Sequence, residues 1–113
     1  MKTTIKLDDL DRETSHLLCP RCGEGYLHQG IVEVYNRHED SDTVRCTIVG
    51  EENIFSAMVA NDTSNNPSSR RSGMLVHFDC EHCDEVDFKL NIAQHKGFTL
   101  MHWEYNDGSN SRS

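Results

Sequence analysis

Apolar residues along the chain come in short runs, and where a period can be read it is two. From Thr43 to Val49, Val44, Cys46 and Ile48 alternate with Arg45, Thr47 and Val49. That alternation predicts a strand with one face inward. Gly25 to Tyr35 is rich in β-branched and aromatic residues, with glycines at 25 and 30, which predicts a strand with a bend or bulge. Met74 to Asp79 reads as a strand running into Cys80. Val86–Ala93 and Phe98–Tyr105 flank Gln94-His95-Lys96-Gly97, a predicted hairpin with the glycine supplying the positive φ. Ile54 to Ala60 is too short for pattern alone to separate a strand from a helical turn.

The polar stretches between these runs set the domain organisation. Residues 1–15 are a polar, acidic N-terminal segment with Ile5, Leu7 and Leu10 as its apolar anchors, open to a short strand, a helical turn or a loose chain. Asn36 to Asp42 is a charged turn, residues 61–73 form an Asn, Ser, Pro and Gly loop, and 106–113 are expected to be a disordered tail. One domain over 16–105 remains. Its expected class is mainly β, with a small α+β fold as the other option. Only 35% of the 113 residues are hydrophobic. A core that modest makes a metal or disulfide staple a plausible source of stability.

The cysteines supply the staple. Four of the five fall in two C-x-x-C pairs, Cys19-Pro20-Arg21-Cys22-Gly23 and Cys80-Glu81-His82-Cys83-Asp84. Two cysteines three apart across a tight turn can place both sulfurs on one ion, and thiolate suits Zn2+. Pro20 stiffens the first turn and Gly23 can take a left-handed conformation after it. Asp84 tolerates the left-handed region better than most residues and takes that part in the second. Met1 to Lys6 has two lysines but no apolar run after it, so no secretory signal is read. In an intracellular, cytoplasmic setting, paired C-x-x-C elements favour metal over disulfides.

The two knuckles with flanking strands resemble zinc ribbons, found in many unrelated proteins. The resemblance covers about a third of the chain and implies one structural Zn2+ on Cys19, Cys22, Cys80 and Cys83. It also implies an antiparallel sheet stapled at that site, with a long insertion between the knuckles. In outline the chain is also similar to small phage and mobile-element zinc-ribbon proteins, which implies a host-interaction factor. Cys19-Pro20-Arg21-Cys22 looks in addition like a glutaredoxin-type motif, but no helical period follows Cys22. A catalytic zinc needs an open position, which four cysteines close.

Charge narrows the partners. The formal charge is −8, from 19 acidic residues against 11 Lys and Arg, so phosphate backbones and anionic membranes are repelled overall. The adjacent pair Arg70 and Arg71, in the loop, is the candidate for an anion, nucleic-acid or partner-carboxylate contact. Glu81, Asp84 and Glu85 form an acidic setting around the second knuckle. Met101, Trp103 and Tyr105 share one face of the last strand, which is either buried or meets a partner. The seven histidines read as partly exposed strand and turn residues, and Cys46 as a small buried hydrophobe. The expected function is a non-enzymatic, zinc-stabilised binding protein that acts through a protein partner. A nucleic-acid-binding zinc ribbon is the alternative, and a thiol oxidoreductase using Cys19 and Cys22 the second.

Overall fold

A computed structural model describes residues 1–11 and 13–106. They form nine strands: β1 (Lys2–Thr3), β2 (Leu7–Asp9), β3 (Ser15–Leu17), β4 (Leu27–Asn36), β5 (Thr43–Val49), β6 (Ile54–Ala60), β7 (Gly73–Cys80), β8 (Cys83–His95) and β9 (Phe98–Glu104). A single 3-10 turn, Asn61–Thr63, is the helical structure among the described residues. Seven strands make one antiparallel sheet in the order β1-β9-β8-β7-β4-β5-β6, and β2 and β3 pair as a separate ribbon. The protein is therefore mainly β, an antiparallel sheet with a four-cysteine cluster, as the periodicity predicts.

Pairing settles what pattern left open. Ile54 to Ala60 is a strand because β5 offers it a complete ladder, from Thr43↔Ala60 to Val49↔Ile54. β4 carries its predicted irregularity between Gln29 and Val32, around Gly30. The β8–β9 hairpin closes through Lys96-Gly97, with His95 opposite Phe98. Its positive φ belongs to Lys96 (φ 56°) rather than to the glycine expected to supply it. Two long paired strands hold the tight turn, so a lysine accepts the left-handed conformation there.

Residues 1–15 are tied to the domain. β1 extends the main sheet along β9, with Thr3 opposite Trp103, and Ile5 packs on the core. Asp11 accepts bonds from the Glu13 and Thr14 N–H groups at 2.8 Å each, which turns the chain between β2 and β3. The tail expected over 106–113 lies, from 107 on, outside the described residues.

Strand alternation puts core on both faces of the sheet. One cluster joins Val86, Phe88, Leu90, Trp103 and Tyr105 to Cys19, Cys80 and Cys83. The other gathers Tyr35, Val44, Cys46 and Leu75, so Cys46 is the buried hydrophobe its alternation predicts. Leu75 and Val76 are neighbours on β7 that face opposite ways, one into each cluster. On the first face Trp103 meets Phe78 and Phe88 edge-on, with ring centroids 5.5 and 6.3 Å apart.

Candidate metal centre

The first knuckle hangs between β3 and β4. Cys19 N–H donates to the Glu24 carbonyl (2.8 Å) and Gly23 N–H to the Cys19 carbonyl (2.9 Å). Gly23 has φ 82°, the left-handed position its place after Cys22 predicts. The second knuckle is the two-residue turn between β7 and β8, with Cys80 opposite Cys83. His82 N–H donates to the Cys80 sulfur at 3.4 Å. The positive φ here is at Glu85 (64°), and not at Asp84. The β7–β8 register breaks beyond Phe78, and the extra residues of β8 are absorbed around Glu85.

β4 brings the two knuckles together across the long interval between them. It leaves the first knuckle and pairs at once with β7, placing Leu27 opposite Cys80. Glu81 N–H donates to the Tyr26 carbonyl (3.1 Å), His28 Nε2 lies 2.5 Å from Glu81 Oε2, and the Tyr26 and His82 rings meet edge-on at 5.2 Å.

All four sulfurs lie within 4.8 Å of one another. Cys19 Sγ is 3.9 Å from Cys83 Sγ, and Cys22 Sγ is 3.6 Å from Cys80 Sγ. A regular tetrahedron of sulfurs around zinc has S···S edges of about 3.8 Å, from a Zn–S bond near 2.3 Å. A disulfide would need the sulfurs at about 2.05 Å, and all five cysteines are free. The residues present therefore fit a tetrahedral metal ion. Cys19, Cys80 and Cys83 are buried and Cys22 is exposed.

The electrostatics agree with the geometry. Burial, with the crowding of the other three sulfurs, pushes the Cys80 thiol up to about 12 against the pull of the His82 N–H. Cys83 is raised mainly by burial, opposed by Arg21 beside it. At Cys22 burial also acts upward, but the Glu24 N–H and the neighbouring sulfurs outweigh it and hold this thiol below its ordinary value. Four thiolates this close repel one another, and a divalent cation among them removes that cost.

The other candidate residues have defined places. Arg70 makes a two-pronged contact with Asp40, Nε to Oδ1 at 3.0 Å and Nη2 to Oδ2 at 2.7 Å, and also reaches Glu39 at 3.2 Å. Arg71 bonds Glu39 at 2.8 Å. Both arginines thus fasten the 61–73 loop to the β4–β5 turn, where Asp40 has φ 60°. Glu81 is engaged with His28, and Asp84 and Glu85 are exposed. Trp103 is 0% exposed, so it presents no surface to a partner. Tyr105 is buried with it, whereas Met101 is half-exposed.

Sequence reasoning missed a second polar constellation, on the face opposite the main cysteine core. His77 Nε2 lies 2.5 Å from Glu33 Oε2, its Nδ1 lies 3.1 Å from Asp87 Oδ1, and the Tyr35 hydroxyl donates to Glu33 Oε1 at 2.5 Å. Burial acts to lower the His77 pKa, but bonds to the two carboxylates win and raise it. Burial acts to raise Glu33, and the bonds from Tyr35 and His77 reverse that. The imidazolium is therefore held between two carboxylates. The sequence carried little signal, because alternation with Val32 and Val34 makes Glu33 read as an outward-facing acid, and its 9% exposure emerges only in the packed sheet.

No helix among the described residues is long and apolar enough to cross a membrane. No family model matches the chain, and no match was found among the curated proteins or the solved structures.

Proposed function

We propose that this chain is a non-enzymatic binding protein whose fold is stapled by one structural Zn2+ on Cys19, Cys22, Cys80 and Cys83, and which acts on another protein. The observation that carries the zinc reading is the convergence of four sulfurs at spacings of 3.6 and 3.9 Å, with three of the cysteines buried in the main core. A site with four thiolate ligands leaves no position for water or substrate, so its contribution is architectural. It joins the segment after β3 to the β7–β8 turn. The role of the ion is to hold surfaces in place.

Charge supports a protein partner over nucleic acid. The chain carries −8, and its one adjacent arginine pair is engaged with Glu39 and Asp40. The excess of 19 acidic residues over 11 Lys and Arg opposes binding to a phosphate backbone. A thiol oxidoreductase using Cys19 and Cys22 is disfavoured because Cys19 is buried and its sulfur faces Cys83.

Two measurements test the proposal. Elemental analysis of freshly purified protein is expected to give about one zinc per chain, and a metal-free, folded protein would overturn the staple. Titration with single- and double-stranded DNA and RNA at rising salt is expected to show weak binding throughout. Tight binding that falls steeply with salt would replace the protein partner with a nucleic acid.

A further inference from the structure

The two edges of the main sheet are unlike. At one, the two-residue β1 carries the charge of Lys2 and covers β9 at Trp103 and Glu104, so among the described residues 98–102 of β9 form a five-residue open stretch. At the other, β6 runs for seven residues, Ile54-Phe55-Ser56-Ala57-Met58-Val59-Ala60, and among the described residues only β5 pairs with it. It has no charge, no proline and no bulge, and its ladder with β5 has no register shift. Ile54 is 76% exposed, Phe55 52% and Met58 53%. By strand alternation Phe55 stands on one face and Ile54 and Met58 on the other, so both flanks of the open edge are apolar. Chains that remain monomeric rarely leave such an edge uncovered.

The occupant must be a strand, because a row of unpaired backbone N–H and C=O groups is satisfied best by another extended backbone. We propose that this strand is the β6 of a second copy, paired antiparallel about a two-fold axis to join two seven-stranded sheets into one. Two observations favour a second copy over a foreign strand. The chain is strongly acidic, yet β6 holds no charged residue, so two copies can meet there without placing like charges opposite each other. The strand is self-complementary. With Ala57 opposite its own copy, Phe55 faces Val59 and Ser56 faces Met58 across the axis, apolar or neutral at every pair. A β6–β6 contact is isologous and closes at two subunits. This inference does not depend on the zinc reading or on the identity of any partner.

The test is the mass of the zinc-loaded, reduced full chain in solution, by light scattering and sedimentation across micromolar concentrations. The expected species is a dimer of twice the 12.9 kDa chain mass. Met58→Lys places a charge on the open edge at a half-exposed position. It should raise the dimer dissociation constant about 3- to 5-fold by placing two like charges diagonally across the axis and an ammonium in place of an apolar contact at the pairing, while far-ultraviolet circular dichroism and zinc content stay at the native values. Phe98→Lys, at a residue 68% exposed on β9, is the control and should leave the dimer intact. A wild-type chain that is monomeric throughout overturns the proposal. So does a dimer that Met58→Lys leaves untouched or that Phe98→Lys breaks. If Met58→Lys itself unfolds, Phe55→Lys carries the same test from the other face. A monomer that instead takes up an extended peptide at β6 would assign the edge to a foreign strand and overturn the second copy.

Discussion

Replacing one ligand cysteine does more than delete a sulfur. In Cys80→Ser or Cys19→Ser, two buried sulfurs would remain in the core beside Trp103 and Phe88, with exposed Cys22 next to them and the proposed cation bound weakly or lost. Structural zinc contributes on the order of 10 kcal/mol, comparable to a small domain's total stability. Both variants are therefore expected to be largely unfolded and zinc-free, measured by circular dichroism and elemental analysis. Cys46→Ala, in the opposite core cluster, should keep its zinc. His77 makes a pH-dependent contribution. Its folded pKa is raised by Glu33 and Asp87, so its stabilisation is fully present below the unfolded histidine value of about 6.5 and is lost as pH climbs through the folded value. Glu33 is shifted down, so its share is lost only at acid pH. Denaturant midpoints of the zinc-loaded protein should fall as pH rises from about 6.5 through the raised folded value. His77→Gln should flatten that fall, and an unchanged slope would remove His77 from the account.

At the scale of elements, the loop before β7 matters more than its composition suggests. Ser68 is buried and donates to the Gln94 carbonyl (2.7 Å), Asn66 Nδ2 donates to the Arg71 carbonyl (2.9 Å), and the arginines grip the β4–β5 turn. Pro67 and Asn66 press on the start of β7, so that a Cβ on Gly73 would sit 2.7 Å from atoms of each. Gly73→Ala should cost about 1–3 kcal/mol through overpacking, read as a lower denaturant midpoint at constant zinc content. Asp40→Ala removes the carboxylate that takes both prongs of Arg70. Cleavage by a protease within 61–73 should become faster, while zinc content and overall fold persist. Equal cleavage rates would show that the backbone bonds alone hold the loop.

At the scale of the whole molecule, three of the clustered cysteines and the aromatic residues belong to one buried core. Cys19, Cys80 and Cys83 share it with the only tryptophan, which is fully buried. Chelation of the metal should therefore shift Trp103 emission to the red together with loss of the β signal, in a single transition that zinc reverses. A chelated protein with unshifted emission would mean that hydrophobic burial alone holds the fold. The sheet also binds distant parts of the chain to one another. Thr3 pairs with Trp103, and β4 crosses from the first knuckle to β7, so removal of residues 1–5 would strip both β1 and the packing of Ile5 from the core.

The sequence by itself determined the strand periodicity of β5, β7, β8 and β9, the loop at 61–73 and the four-cysteine set. Those signals are local: alternation, turn residues and C-x-x-C spacing act over a few residues. Its local reading failed where the decision was not local. Ile54 to Ala60 became a strand only because β5 was there to pair with it, and Lys96 rather than Gly97 took the positive φ because two long strands fixed the turn. Arg70 and Arg71 found Asp40 and Glu39 thirty residues away in sequence, and Trp103 was placed on the buried side of β9 by the strands and core around it. The Glu33–His77–Asp87 constellation likewise exists only through the register of β4, β7 and β8. A charged side chain's partner is set by which strands lie side by side, and only the packed sheet fixes that order.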